Sequence, residues 1–247
     1  MEKCILIFSM GRSGGEALAT SLGKFAGSET YLSEPLLDDN LADETSRYKE
    51  LVDELVEQIR EENIQVLKHN LGTFSELGVS KRKKANRHLF DQFDNIIING
   101  RRNVLKRNLS SIIGGKTNKW HGKTRDYFSN LFQKSFRVDI GEMEKWVLRT
   151  KKQWRGNIEY IRNLENVRVV FLEYENFFQE IPLNSRLKHL RGVYKMLLRE
   201  PPSNENLLEV LDLLSTKKKM NNRDTYSIIK NIESVNKNLG PKFGFLY

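Results

Sequence analysis

Short apolar runs that alternate with helical patterns constrain the fold of this chain most strongly. Each run is rich in β-branched residues and has the length of a strand buried inside a sheet. The runs are CILIFSM (4–10), IQVLKHNL (64–71), NIIING (95–100) and VRVVFLEY (167–174). Helical patterns cover 15–25, 45–62, 103–113, 141–164, 185–199 and 204–215. This alternation predicts an α/β protein with a parallel sheet and helices on both faces.

Length and composition favour one globular domain. The chain has 247 residues, of which 38% are hydrophobic and 30% charged, and it contains no internal repeat or Pro/Gly-rich linker. We expect a single domain over residues 1–247.

Cys4, the single cysteine, heads an apolar run and is expected in the core. One cysteine allows no internal disulfide, and no apolar stretch has the length of a signal-peptide core or a membrane span, so we expect a cytoplasmic, soluble protein.

The charge balance points to anionic partners. The formal net charge is +9, from 41 Lys and Arg residues against 32 Asp and Glu residues. Such a surplus suits binding to a phosphorylated cofactor, nucleic acid or an acidic membrane surface. The alternative is that the charge only keeps the protein in solution.

The turn GRSGGE (11–16) follows the first strand and opens a helix. Glycines let successive backbone N–H groups converge on an oxyanion, and the helix N-terminus favours negative charge there. The turn therefore predicts a phosphate or sulfate site, although an ordinary strand-to-helix turn also uses glycines. Glu16 stands where a nucleotide-binding P-loop needs glycine, and neither a Lys-Ser/Thr pair nor a G-x-G-x-x-G pattern is present, which excludes ordinary NTPase and NAD sites.

A second basic turn follows the strand at 95–100. Arg101 and Arg102 come directly after it, and Ser110 lies two helical turns further on. An arginine and a hydroxyl beside a strand end suit a second phosphate group, and the carboxyl ends of parallel strands share one edge of the sheet. A basic, solvated helix face is the alternative for this segment.

Together these segments resemble the PAPS-dependent sulfotransferases, whose sulfuryl donor is 3′-phosphoadenosine-5′-phosphosulfate. The turn at 11–16 is similar to the family's 5′-phosphosulfate loop, and Arg102 with Ser110 is similar to its 3′-phosphate motif. KTNKWH (116–121) resembles an element of bacterial carbohydrate sulfotransferases that act on trehalose or Nod factors, and LEYENF (172–177) resembles a strand end common in the family. The resemblance implies a P-loop-like sulfotransferase fold. His69, His88 and His189 show no metal-ligand spacing, so we expect no metal.

The resemblance also implies the donor-binding residues. The 5′-phosphosulfate would be held by Arg12, Ser13, Gly14, Gly15, Glu16 and Ala17, the 3′-phosphate by Arg102 and Ser110, and Tyr174 would lie near the adenosine. Gly15 and Glu16 depart from the family, which has two hydroxyl residues there, and Gly11 replaces its usual proline. Either Glu16 turns outward in the first helical turn, where an acidic side chain is favourable, or it weakens donor binding.

Sulfuryl transfer needs a cation for the leaving group and a base for the acceptor hydroxyl. Arg12 is the candidate cation. Glu34 in YLSEP is the candidate base, because related bacterial enzymes carry a glutamate in a similar segment, and His121 is the second candidate. Trp120 either stacks on a sugar ring or packs in the core.

We therefore expect a sulfotransferase that moves a sulfuryl group from PAPS to a hydroxyl of a carbohydrate or small metabolite. A homo-oligomer is compatible with the resemblance. The substitutions at Gly15 and Glu16 leave open a protein that binds PAP or PAPS without transfer. The clusters at 81–88 and 216–223 leave open a nucleic-acid-binding protein, although the chain lacks the signature of a known nucleic-acid-binding motif.

Overall fold

The structure is a computed structural model that describes residues 4–11, 14–25, 31–36, 47–73, 79–117, 135–178, 182–197, 203–213 and 226–246. Contacts within the chain divide it into two compact units. The first comprises Met1–Gly100 and Trp154–Ser215, and the second comprises Arg101–Gln153 and Thr216–Tyr247. The expectation of one domain over 1–247 stays a prediction.

A five-stranded parallel sheet forms the centre of the first unit. Its strands are β1 (Ile5–Ser9), β2 (Leu32–Ser33), β3 (Val66–Asn70), β4 (Asn95–Gly100) and β5 (Arg168–Glu173). Their order across the sheet is β2-β3-β1-β4-β5, and every neighbouring pair is parallel. The predicted α/β class and parallel sheet are confirmed. The four apolar runs are strands, whereas the sequence did not predict the two-residue edge strand β2.

The described helices include one at each predicted helical pattern. They are α1 (Gly15–Phe25), α2 (Tyr48–Glu61), α3 (Val79–Phe90), α4 (Val104–Thr117), α5 (Ile140–Arg162), α6 (Tyr174–Phe178), α7 (Leu183–Leu197), α8 (Asn204–Leu213) and α9 (Ile232–Phe243). The sequence did not predict α3, the short α6 or α9. None of the described helices combines the length and apolar character needed to cross a bilayer.

One face of the sheet packs against α1, α7 and α8. Alternate strand residues such as Ile5, Ile7 and Val66 meet Leu22 of α1 and Tyr194 of α7 in one buried cluster. Tyr194 is completely buried, and its hydroxyl donates to Ser21 Oγ at 3.3 Å. This cluster anchors α1, and with it the turn that precedes the helix, on the central strand.

Aromatic residues cover the opposite face. Phe8 of β1 stacks on Trp154, with ring centroids 5.1 Å apart, and meets the edge of Phe90 of α3 at 4.8 Å. Gly100 ends β4 beneath Trp154, where an added Cβ would lie 3.1 Å from the indole ring. The tight packing fixes the carboxyl ends of β1 and β4. Cys4 is also buried, as predicted, and burial raises the pKa of its thiol to about 12.

The carboxyl ends of β1 and β4 form a topological switch point. The chain leaves β1 toward β2 on one side of the sheet and leaves β4 toward β5 on the other. The amide of Met10 donates to Asn99 O at 3.1 Å, so the two strands stay paired beyond Ser9. Open α/β sheets bind ligands in the crevice that such a switch point forms beyond the carboxyl ends of its strands.

The second unit contains α4 and α9. Asn103 caps α4, since its Oδ1 accepts the amide of Lys106 at 2.8 Å. Its amide nitrogen donates to Phe245 O at 2.9 Å, just beyond the end of α9. Lys242 of α9 pairs with Glu144 at 2.7 Å. The residues next to Arg102 are therefore held by a helix cap and by the segment that follows α9.

Candidate functional site

Two glycines with positive φ flank the turn between β1 and α1. Gly11 and Gly14 both have φ of +73°, a region that residues with a Cβ adopt only at a cost. The amide of Gly11 donates to Ser9 Oγ at 3.4 Å, and α1 begins immediately after Gly14. Arg12 and Ser13 lie outside the described residues. The loop thus delivers the chain to the N-terminus of a helix, where unpaired N–H groups favour an anion.

Gly15 has no room for a side chain. A Cβ there would lie 2.8 Å from Ser9 Oγ and 3.3 Å from Lys68 Cε. Lys68 belongs to β3, and its aliphatic chain runs beside the first residue of α1. A side chain at this position would therefore force Ser9, Lys68 or the start of α1 to shift, so packing favours glycine here whatever the ligand.

Glu16 is bound by three residues near the β2 edge of the sheet. Its Oε1 accepts the Tyr31 hydroxyl at 2.7 Å, and its Oε2 accepts the Ser33 hydroxyl at 2.6 Å. Lys68 Nζ lies 3.1 Å from the same Oε2. Burial by itself raises the pKa of the Glu16 carboxyl, but the bonds from Ser33 and Tyr31 and the Lys68 ammonium outweigh it and hold the pKa below its ordinary value of 4.5. Glu16 is thus an ionised, anchored carboxylate at neutral pH.

Lys68 is the cation at the centre of this cluster. Its side chain is 8% exposed, and its ammonium contacts Glu16, Ser33 and Glu34. The bond to Glu34 Oε1 is the shortest of the three. A lysine this deeply buried needs such partners, because an unpaired charge in the interior is strongly unfavourable.

Glu34 has an unusual backbone and a half-satisfied carboxylate. Its φ is +55°, which is uncommon for a residue with a Cβ, and its amide donates to Lys68 O at 2.9 Å. Its side chain is 23% exposed, and Oε2 has no hydrogen-bonding partner among the residues that the structure describes. Strained residues of this kind concentrate at functional sites.

The other predicted site residues lie outside the cluster of Glu16, Lys68 and Glu34. Ala17 lies in the first turn of α1, and Tyr174 packs against the apolar cluster of the first unit as the first residue of α6. In the second unit, Arg102 is exposed, whereas Ser110 of α4 is 3% exposed. Trp120 and His121 lie outside the described residues. The convergence of Arg102 and Ser110 on one phosphate stays a prediction.

His69 follows Lys68 on β3 and lies on the opposite face of the sheet. Its Nε2 is 2.8 Å from Asn86 Oδ1 of α3, and its ring stacks against Phe8. Burial, with the nearby Lys68 charge, lowers the pKa of the imidazole from 6.5 to about 4 despite the bond to Asn86. His69 is therefore a neutral core residue at pH 7 rather than a base in the site.

Sequence reasoning did not single out Lys68, Tyr31 or Ser33. Lys68 stands inside an apolar strand run, and a charged residue in such a run must be paired once the strand is buried. That signal, combined with two nearby carboxylates in the predicted site, could have identified it. No comparable signal marks Tyr31 or Ser33, because only the position of β2 brings them to Glu16.

Comparisons with known protein families, with curated proteins and with solved structures found no match. Among the described residues, no group of three or more His, Cys, Asp or Glu side chains is arranged to hold a metal ion.

Proposed function

We propose that this protein is a PAPS-dependent sulfotransferase whose acceptor is a hydroxyl of a carbohydrate or small metabolite. The observation that carries the proposal is the glycine turn at the central strand. Two glycines with positive φ lead into the N-terminus of α1, beside the switch point of a parallel sheet. This arrangement suits a phosphosulfate group, which presents several oxyanions to backbone N–H donors.

The donor-binding roles come from the resemblance in sequence. Arg12, Ser13 and the backbone N–H groups of Gly14, Gly15, Glu16 and Ala17 bind the 5′-phosphosulfate in this proposal. Arg102 and Ser110 bind the 3′-phosphate, and Tyr174 lies near the adenosine. PAPS supplies the sulfuryl group, and the chemistry requires no metal.

Glu34 is the proposed base. The acceptor oxygen attacks sulfur and forms a new S–O bond, the bond from sulfur to the bridging phosphate oxygen breaks, and PAP leaves. The hydroxyl proton passes to Oε2 of Glu34, the carboxylate oxygen without a described partner. Arg12 stabilises the negative charge on the departing phosphate, since arginine stays protonated. His121 is the second candidate for the base.

Titration with PAP by calorimetry tests the cofactor. We expect the wild type to bind with a micromolar dissociation constant, about −8 kcal/mol, and Arg102→Ala to weaken binding by about 10-fold or more, because a charge-assisted phosphate contact is lost. Arg149→Ala removes an equal charge from an exposed position on α5 and serves as the matched control. ATP in place of PAP tests specificity for the 3′-phosphate.

The outcomes separate the candidate functions. Binding of PAP with transfer from labelled PAPS to members of a carbohydrate panel supports the enzyme. Binding of PAP without transfer favours the non-catalytic alternative. No response to PAP, together with salt-sensitive binding of random oligonucleotides, favours a nucleic-acid-binding protein and contradicts the proposal.

A further inference from the structure

One ammonium links two carboxylates that come from different elements. Lys68 Nζ lies 3.1 Å from Glu16 Oε2 and 3.3 Å from Ser33 Oγ, and it also bonds Glu34 Oε1. A lysine ammonium has three N–H donors, so each donor has an acceptor here. Lys68 cannot turn away from any of them without leaving a partly buried polar atom unpaired, which is unfavourable.

Glu16 is itself fixed from the β2 side. Tyr31 and Ser33 donate to its two oxygens at 2.7 and 2.6 Å, and both belong to the segment that leads into Glu34. The first turn of α1, the β2 edge and β3 are therefore joined through a single carboxylate. Moving Glu16 would remove one of the three acceptors that fix the Lys68 ammonium, and Lys68 is the only described partner of the Glu34 side chain.

We propose that Glu16 is a positioning residue for Glu34. It holds the Lys68 ammonium in place, and the ammonium orients the Glu34 carboxylate so that Oε1 is occupied and Oε2 remains for the acceptor hydroxyl. The inference rests on the proposed function. It gives the Glu16 side chain a role that the sulfotransferase motif does not contain. Hydroxyl side chains at this position bind the donor in that motif, whereas the Glu16 carboxylate binds Tyr31, Ser33 and Lys68 and leaves only its backbone N–H for the donor.

Glu16→Gln tests this role with little change in shape. Both oxygens of Glu16 accept hydrogen bonds, whereas the NH₂ group of glutamine cannot accept one. The amide therefore loses either the bond from Tyr31 or the bonds from Ser33 and Lys68. With the best acceptor from a carbohydrate panel, we expect kcat to fall by about 10-fold or more, as expected for a misplaced reacting group. The dissociation constant for PAP should stay within about twofold. Glu61→Gln, an exposed position at the end of α2, is the matched control.

A second pair of variants separates positioning from charge. Lys68→Arg keeps the cation and should retain more of kcat than Lys68→Met, with PAP affinity measured for both. A purely structural role would lower the melting temperatures of both variants without this difference in kcat. Equal values of kcat for Lys68→Arg and Lys68→Met would overturn the inference.

A readout that needs no donor completes the test. NMR should detect slowly exchanging ammonium protons for Lys68 in the wild type, and exchange should accelerate by about 10-fold or more in Glu16→Gln, since protons in hydrogen bonds are protected. Unchanged exchange, unchanged kcat, or a parallel loss of kcat and PAP affinity each overturns the inference. Failure of the wild type to bind PAP overturns the proposed function, and the catalytic part of the inference with it, whereas unchanged exchange overturns the inference alone.

Discussion

Replacing Glu34 by glutamine is expected to lower the rate of sulfuryl transfer by about 10²–10⁴-fold, the usual contribution of a positioned general base. The amide oxygen can still accept from Lys68, so the local fold should persist, but the side chain can no longer take the acceptor proton. The dissociation constant for PAP should change by less than about twofold, because Glu34 has no proposed contact with the donor.

The measurement is transfer from labelled PAPS to the best acceptor of a carbohydrate panel. Glu57→Gln removes a carboxylate from an exposed position on α2 and provides the control for a change of one charge. Equal rates for Glu34→Gln and the wild type would show that another group is the base, and His121 would be tested next. A large fall in PAP affinity would instead place Glu34 in the donor site.

The stability of the first unit is expected to fall as the pH drops from 7 to 4 because of His69. The pKa of the imidazole is about 4 in the folded chain and 6.5 in the unfolded chain. Between these values the unfolded state binds a proton that the folded state does not, so protonation favours unfolding. The stabilisation is fully present above pH 6.5 and is lost as the pH falls through the folded pKa. Its total is about 3 kcal/mol, at roughly 1.4 kcal/mol for each pH unit between the two values.

Urea unfolding of the wild type and of His69→Gln across this pH range measures the effect. The difference in free energy of unfolding between the two proteins should shrink by about 3 kcal/mol between pH 7 and pH 4, because glutamine does not titrate. Glutamine can still donate to Asn86 Oδ1, which limits the cost of the substitution at pH 7. A constant difference at every pH would mean that His69 is protonated equally in the folded and unfolded states.

Local patterns were sufficient to predict the centre of the sheet. β1, β3 and β4 are almost entirely buried, β5 buries Val170 and Leu172, and each strand lies in an apolar run that carries its own signal. The glycine turn and its position before α1 were also predictable, since glycine and a following helix are local features. These two predictions together place the candidate anion site at the carboxyl end of the central strand.

Elements defined by tertiary contact were not predictable in the same way. β2 has only Leu32 and Ser33, too few residues for an alternation, and it is a strand because it pairs with β3. The first residues of α3 are largely basic and exposed, and its buried side, Ala85, Asn86, Leu89 and Phe90, lies near the end of the helix. The basic cluster at 81–88 therefore belongs to a helix whose buried side packs in the first unit.

The same limit applies to the site. The sequence did not decide whether the Glu16 side chain turns outward or weakens donor binding. Its neighbours in space come from the segment at β2 and from β3, which lie far from it along the chain. The structure binds its carboxylate to Tyr31, Ser33 and Lys68. This network links Glu16 to Glu34, the residue that the resemblance suggested for a different reason.

Dissociation constants for PAP and for adenosine 5′- and 3′-monophosphate test the central claim most directly, namely that the turn before α1 holds the 5′ end of the donor. They should be measured on the wild type and on Gly15→Ala, whose Cβ would lie 2.8 Å from Ser9 Oγ and 3.1 Å from Ser9 Cβ, so that Ser9 or the start of α1 must shift. We predict that Gly15→Ala weakens PAP and the 5′-monophosphate by about 10-fold or more, through the 1–3 kcal/mol cost of overpacking, and leaves the 3′-monophosphate unchanged. Equal losses for all three ligands, or no binding of PAP to the wild type, would contradict the account.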